Sequence, residues 1–314
     1  MKQAENIYLE KFGEWLLIKG HSSATVRSFT GSTRQFIIWL QAQGIEAESV
    51  HHNDIVAYVS HRKQQGNKAH TLQCTVNAIR HFYNFLQQED IVSENPVLNV
   101  RIKGVKRKEL IEILSPAELE MIYKSFDTQS RSYETGKRMP PQQNNERARK
   151  RNRIMLGLLI CQGISTAELA KLELSDLDLR EGKLSIQAGR KSEGRVLKLE
   201  AHQVYDLMDY VHTIRKELLA STRKDTRAVF ISLGTGENLR SSTKYLLRCI
   251  QAKCPQLKNL QQIRTSVISN WLKVHNLRQV QYLAGHRYVS STEAYQLNNI
   301  EELRDDIKKY HPIG

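Results

Sequence analysis

The chain has 314 residues, of which 47 are lysine or arginine and 33 are aspartate or glutamate, giving a formal net charge of +14 at pH 7. This length predicts two domains, and the lack of any run of about 18 apolar residues argues against a transmembrane helix. The amino-terminal segment lacks the apolar region of a secretory signal, so we expect a cytoplasmic protein. The positive surplus favours nucleic acid as the partner, because each lysine or arginine placed on a phosphate releases condensed counterions. A membrane surface is less favoured, since neither terminus is a basic amphipathic helix.

The cysteines do not form a metal-binding pattern. Four are present, at positions 74, 161, 249 and 254, and only the last two are close, as a C-x4-C pair. A structural zinc site usually needs a second pair of ligands. The sequence therefore predicts no metal site.

The first hundred residues predict a compact bundle of four helices. Apolar residues recur every three to four positions in four segments, at about 6–20, 23–42, 54–66 and 70–90, which is the helical period. Gly20 and Gly44 follow the first two segments, where glycine commonly ends a helix. Asn53 or Asp54 is expected to cap the third. Residues 1–102 are predicted to form one helical domain.

A basic linker is predicted at residues 103–112. Gly104 disfavours a helix there, and Lys106, Arg107 and Lys108 follow it. Two interpretations stay open for this run, a solvated linker and a contact with a phosphate backbone. The second domain, residues 113–314, then opens with Ser115 as N-cap of a helix.

The second domain is predicted to be mostly helical with one β-hairpin. The polar stretch 127–145 predicts a mobile loop, and "RARKR" at 147–151 predicts the basic start of a buried helix. Apolar and polar residues alternate at 183–187 and 195–199, on either side of a basic turn, which is typical of a hairpin. Helices are expected again at about 201–219, 241–252, 260–275 and 277–284, with two short ones after them. The predicted fold class is therefore mainly α with a small β-sheet.

The segment "LAGHRYVSSTEAY" at 283–295 carries the most specific pattern in the chain. It resembles the final box of the tyrosine recombinase (phage-integrase) family, which commonly reads L-L-G-H-x-x-x-x-T-T-x-x-Y. Gly285, His286, Thr292 and Tyr295 stand at matching positions, with the histidine-to-tyrosine spacing kept. The helical bundle, basic linker and helical domain with a hairpin also match, so the resemblance covers almost the whole chain.

The resemblance implies DNA strand cleavage by a tyrosine. In that family the tyrosine oxygen attacks a phosphodiester, forms a 3′-phosphotyrosyl link and frees a 5′-hydroxyl, without a metal or cofactor. Tyr295 is the implied nucleophile, on a short helix that Ser290 is expected to cap, and His286 is implied to lie at the phosphate. The family also implies an amino-terminal DNA-binding domain of the SAM-like type, two domains around duplex DNA, and a homo-oligomer that synapses as a tetramer.

A second box of the family, H-x-L-R, is matched by "QQIR" at 261–264. Arg264 stands at the family's second phosphate-binding arginine, whose planar fork suits two phosphate oxygens. Gln261 stands where the family has histidine. An amide donates a hydrogen bond but does not shuttle a proton.

The box that carries the family's first arginine departs further. "QGISTAEL" resembles T-G-L-R-x-S-E-L, but Ser165 occupies the arginine position. Ser165 and Glu168 have the spacing of a capping box, which we take as the local role of the serine. The loss of one guanidinium from a phosphate clamp is expected to cost about 10²- to 10³-fold in rate. A neighbouring cation could offset that loss.

The turn of the predicted hairpin, "GRKSEGR" at 189–195, resembles the family's G-K-G-x-x-x-R turn. The family's lysine donates a proton to the leaving 5′-oxygen, and either Arg190 or Lys191 stands at its place. We favour Lys191, because an arginine holds its proton too strongly to be a good acid. Arg190 or Arg195 is then expected to bind phosphate, and a solvated basic turn is the alternative. The other expected phosphate contacts are those of Lys106, Arg107, Lys108, Arg149, Lys150 and Arg151.

Three functions remain open on these residues. A site-specific recombinase of the mobile-element integrase type is favoured, because the tyrosine, the histidine and one arginine are all present. A DNA-binding accessory protein without catalysis is the second, because of Ser165 and Gln261. A topoisomerase-like enzyme is the third, and it is less favoured because the amino-terminal domain resembles that of the recombinases.

Overall fold

The computed structural model describes residues 2–104, 111–126, 142–190, 192–233 and 239–296. Side chains are described from residue 8 in the first range and from residue 146 in the third. The predicted roles of Lys106, Arg107, Lys108 and Lys191 therefore fall on residues outside these ranges.

The chain divides into two compact units, Met1–Glu109 and Leu110–Gly314. Each unit has a hydrophobic core of its own. In the described ranges, no helix is long and apolar enough to cross a membrane.

The first unit is a bundle of four helices, as the apolar spacing predicted. They are α1 (Lys2–Ile18), α2 (Ser23–Gln43), α3 (His52–Gln64) and α4 (Ala69–Gln88), with a single 3₁₀ turn at Ala47–Ser49. The buried face of α4 lies at the centre, and it contains Leu72, Val76, Ile79, Phe82 and Phe85.

The ends of the bundle helices follow from local chemistry. Gly44 ends α2 in the left-handed conformation, with φ of 70°, which glycine adopts at low cost. The predicted cap of α3 is wrong by two or three residues. His51 is the N-cap, and its backbone N–H donates a hydrogen bond to the carboxylate of Asp54 at 2.8 Å.

The second unit is mostly helical around one small sheet. Its helices before the sheet are α5 (Pro116–Ser125), α6 (Gln142–Cys161) and α7 (Thr166–Leu169). After the sheet come α8 (Ala201–Asp209), a π-helical turn (Tyr210–Ile214), α9 (Arg215–Thr222), α10 (Arg240–Gln251), α11 (Leu260–Val274), α12 (Leu277–Ala284) and α13 (289–296). Ser115 is the N-cap of α5, as predicted, and it forms a capping box with Glu118.

The sheet is antiparallel with the order β1-β2-β3. Its strands are β1 (Leu177–Asp178), β2 (Lys183–Ile186) and β3 (Arg195–Lys198). The hairpin of β2 and β3 was predicted, and Leu184 pairs with Leu197 in it. The two-residue β1 was not predicted, because it is too short to show alternation. The mainly α fold class with a small sheet is confirmed.

Helix α6 corrects two predictions. It begins at Gln142, so residues 142–145 are helical rather than part of the predicted loop, while residues 127–141 lie outside the described ranges. The expected phosphate contacts of Arg149 and Arg151 are wrong, because both side chains point into the domain, with exposures of 7% and 2%. Arg151 donates hydrogen bonds to Asn152 and to the carbonyl of Ile231. Lys150 is exposed.

Candidate active site

The β-hairpin is joined to the segment that carries His286. Ser192 forms an antiparallel bridge with His286, and the backbone N–H of Glu193 donates to the carbonyl of Gly285 at 3.0 Å. Further along β3, the hydroxyl of Tyr282 lies 3.3 Å from the backbone nitrogen of Val196. The hairpin and the segment around His286, which are distant in sequence, therefore lie side by side.

The hairpin turn itself is tight and has an external partner. The N–H of Gly189 donates to the carbonyl of Ser192 at 2.9 Å, and the N–H of Ser192 donates to the carbonyl of Gly189 at 3.4 Å. The guanidinium of Arg287 lies 2.8 Å from the carboxylate of Glu193 and donates to the carbonyls of Arg190, at 3.0 Å, and Gly189, at 3.4 Å. Arg190 is exposed.

Gly285 sets the direction of the chain into the site. It ends α12 in the left-handed conformation, with φ of 67°. A Cβ at this position would overlap the guanidinium of Arg195, so glycine is required by space as well as by backbone conformation. His286 follows directly, at the end of the helix.

His286 lies against the candidate nucleophile. Its Nδ1 is 2.8 Å from the hydroxyl of Thr292, which is fully buried. The imidazole stacks on the ring of Tyr295, with 5.6 Å between centroids and 15° between planes. Helix α13 begins at residue 289, so Ser290 is inside it and is not the predicted N-cap.

Arg264 completes this group. Its Nη2 donates to the carbonyl of Ala284 at 2.7 Å, and its Nη1 donates to that of Gly163. Its guanidinium is near enough to the phenol of Tyr295 for the two groups to interact electrostatically. Burial lowers the pKa of Arg264, while the charge of Glu168 and the phenol of Tyr295 raise it. The side chain is 10% exposed.

Glu168 joins two arginines beneath the site. Its Oε1 lies 2.7 Å from Nη1 of Arg195, and its Oε2 lies 3.4 Å from Nη1 of Arg264. Oε2 also accepts the backbone N–H of Ser165 at 2.7 Å. Burial alone would raise the pKa of Glu168, but these hydrogen bonds and charges together hold it below its usual value.

Arg195 does not reach the surface, contrary to its predicted phosphate contact. Its side chain has 0% exposure, and its Nε donates to the carbonyl of Leu283 at 2.8 Å. Nη2 is buried and has no hydrogen-bond partner within the described ranges. Arg195 therefore positions Glu168 and the end of α12.

Ser165 has the capping role that the sequence predicted. Its hydroxyl accepts the N–H of Glu168 at 3.1 Å at the start of α7. Ser165, Gln261 and Arg264 line one cavity of about 350 Å³, and Gln261 is exposed. The positions of the family's first arginine, box-two histidine and second arginine thus surround a single space.

The structure brings Tyr295, His286 and Arg264 together and joins the hairpin to them. Sequence reasoning missed the roles of Glu168, which it treated only as a helix cap, and of Arg287. No signal in the sequence pairs Arg287 with Glu193, because they are far apart along the chain.

Comparisons with known proteins agree with this geometry. The model of the phage integrase amino-terminal SAM-like domain matches residues 9–90, and that of the phage integrase family matches residues 112–302. The tyrosine recombinase XerC of Bacillus pumilus is 27% identical over 307 residues, covering 96% of this chain and 95% of that protein. XerD of Pseudomonas aeruginosa is 25% identical over 325 residues, covering 100% of both. A lambda integrase tetramer bound to a Holliday junction superposes with a TM-score of 0.62 at 14% identity, covering 92% of this chain and 76% of that one.

The fold and the site together define a protein in which a tyrosine hydroxyl, a histidine and a buried arginine meet beside a basic hairpin. The chain belongs to the phage integrase family.

Proposed function

We propose that this protein is a site-specific DNA recombinase that cleaves and rejoins DNA through a 3′-phosphotyrosyl intermediate. The observation that carries this proposal is the stacking of Tyr295 on His286, together with the electrostatic interaction of its phenol with Arg264. The relatives named above are tyrosine recombinases, and this chain matches them over nearly their whole length.

Tyr295 acts as the nucleophile. Its phenol releases its proton to solvent as the oxygen forms a bond to phosphorus, and the bond from phosphorus to the 5′-oxygen breaks. Arg264 and His286 stabilise the negative charge that develops on the non-bridging oxygens. The energy of the broken bond is kept in the phosphotyrosine, so a 5′-hydroxyl of a second strand can reverse the step.

The hairpin turn supplies the acid. Lys191 donates a proton to the leaving 5′-oxygen, and the junction of the hairpin with His286 supports this assignment because it brings the turn to the site. Arg190 is exposed on the same turn and contacts phosphate. Gln261, which lines the cavity beside Ser165, donates a hydrogen bond to the phosphate.

The partner is double-stranded DNA, bound by a homo-oligomer. The similar lambda integrase structure is a tetramer on a Holliday junction, which supports four protomers in the synapse of this protein. Lys150, together with Lys106, Arg107 and Lys108, contacts the DNA backbone. The charge of +14 is consistent with such contacts.

The test is covalent capture on nicked DNA. A binding site is first selected from a randomised duplex pool, and duplexes nicked at successive positions along it are incubated with the protein. The short strand beyond the nick diffuses away after cleavage, so a protein–DNA adduct accumulates. We expect the adduct with the native protein and not with Tyr295→Phe, while Tyr288→Phe, an exposed tyrosine of the same segment, forms it normally.

An accessory DNA-binding protein without catalysis is the second candidate, favoured by Ser165 and Gln261 at two family positions. Tight binding to the selected duplex with no adduct at any nick position would support it over the recombinase.

A further inference from the structure

Among the described residues, the cavity beside Ser165 is lined by three cationic side chains and no carboxylate. Arg264 lies on one side, and Arg240 and Lys244 of α10 lie on another. The remaining lining residues are Ile164, Ser165, Thr166, Thr243, Leu247, Asn259, Leu260 and Gln261. Such an electrostatic environment favours an anion.

Helix α10 presents one side to this cavity. Arg240, Thr243, Lys244 and Leu247 follow the spacing of one helical face. The opposite face is in the core, where Leu246 and Ile250 are buried. Lys244 therefore lies in the middle of the face of α10 that borders the cavity. The burial of the opposite face of α10 fixes its position.

The opposite wall is the first turn of α11, a helix of 15 residues that starts at Leu260. The amino-terminal end of a helix carries a partial positive charge, which adds to that of the side chains. Asn259 caps this end through a hydrogen bond to the N–H of Gln262 at 3.0 Å.

Ser165 is too short to place a charge in this cavity, and its hydroxyl is already used as a helix cap. A cation that acts on a phosphate here must therefore come from another element. Arg195 is excluded by its complete burial. Arg240 already interacts with another group of the chain. Lys244 is exposed, and within the described ranges its ammonium has no hydrogen bond or ion pair.

We propose that the cavity binds the phosphate that Tyr295 attacks, and that Lys244 supplies there the positive charge that the family places on an arginine at position 165. This inference rests on the proposed recombinase function. Lys244 neutralises a non-bridging oxygen, and it forms and breaks no covalent bond.

The first test compares three variants with the native protein for the rate of adduct formation on the nicked duplex at saturating protein. Lys244→Gln is expected to slow the reaction by about 10²- to 10³-fold, as for the loss of one donor to a developing oxyanion. Ser165→Arg in the same chain is expected to restore part of that rate, because it returns a guanidinium to the cavity from the other wall. Arg248→Gln is the matched control, since this exposed residue lies one turn further along α10 and does not line the cavity.

The second test uses a duplex with a methylphosphonate at the cleaved position, which replaces one charged oxygen by a neutral methyl group. The defect of Lys244→Gln is expected to shrink at least tenfold on this substrate, because there is less charge to neutralise. This readout stands even if Ser165→Arg disturbs the cap of α7.

The outcomes separate the two proposals. A Lys244→Gln protein that cleaves at the native rate, or whose rate is lowered by the same factor relative to the native protein on both substrates, would overturn the role of Lys244. Absence of adduct with the native protein would instead overturn the recombinase function.

Discussion

At the scale of single residues, Glu168 has the most consequential environment in the described site. Its side chain is 12% exposed, and its carboxylate lies between the guanidinium groups of Arg195 and Arg264, whose side chains are 0% and 10% exposed. Removing one partner of a buried ion pair leaves an uncompensated charge, which costs more than the pair itself gains. Glu168 therefore helps to hold the guanidinium of Arg264 in place.

We expect Glu168→Gln to lower the free energy of unfolding by about 3–5 kcal/mol, as measured by urea denaturation. Glu120→Gln is the control, because Glu120 pairs with Lys124 on the surface of α5, where both side chains are more than half exposed. The control should unfold like the native protein. Equal behaviour of the two variants would contradict the buried network.

The same residue predicts a dependence on pH. The pKa of Glu168 is lower in the folded protein than in the unfolded chain, so its stabilising effect is complete above the ordinary glutamate pKa. It is lost as the pH falls through the lowered value. Glu168→Gln should therefore lose less stability than the native protein on acidification below about pH 4.5, measured as the urea midpoint. If the urea midpoints of the two proteins fall in parallel as the pH is lowered, Glu168 does not cause this pH dependence.

At the scale of elements, the position of the hairpin turn depends on Arg287. This residue binds the carboxylate of Glu193 and two carbonyls of the turn, so it holds the segment that carries Lys191 against the His286 box. The hydrogen bonds are few and partly exposed, so their effect is on the placement of the turn more than on the stability of the domain.

Arg287→Gln should slow adduct formation about tenfold or more on ordinary DNA, because the proposed acid is no longer held at the leaving oxygen. A duplex with sulfur at the 5′-bridging position needs no acid, so on it the variant should approach the native rate. Arg278→Gln is the control, since this exposed arginine of α12 contacts only Gln281 among the described hydrogen bonds. If the defect persists with sulfur, or if only DNA affinity falls, Arg287 does not act through the turn.

The helices and strands were largely predictable from the sequence. Which basic side chains are exposed and which are buried was not predictable. Apolar spacing located the helices, and alternation located β2 and β3. A run such as "RARKR" winds around a helix, so Lys150 is exposed while Arg149 and Arg151 are buried. Charge alone does not reveal that difference. The alternation of β3 contained a usable signal, because Arg195 is in phase with the buried Leu197. The network of Glu168 and Arg195 joins distant segments, and no local pattern predicts it.

At the scale of the whole molecule, the charge of +14 is relevant to DNA only where the side chains reach the surface. A surface cation that contacts a phosphate releases a counterion and adds to the salt dependence of binding. A buried one contributes to the fold instead.

We expect Lys150→Gln to reduce the slope of log affinity against log salt by about one unit, measured by fluorescence anisotropy with the selected duplex. Arg151→Gln should leave that slope unchanged and lower the free energy of unfolding by about 1–3 kcal/mol, because it removes the buried hydrogen bonds to Asn152 and Ile231. If Arg151→Gln reduces the salt slope and Lys150→Gln does not, the original expectation of a phosphate contact for Arg151 is correct.

The most direct measurement is to identify which atom of the protein carries the DNA. The adduct formed on the nicked duplex is digested with protease and nuclease, and the modified peptide is sequenced by mass spectrometry. We predict a nucleotide attached through its 3′-phosphate to the phenolic oxygen of Tyr295. Attachment to Tyr282, Tyr288 or any other residue would contradict the proposed chemistry.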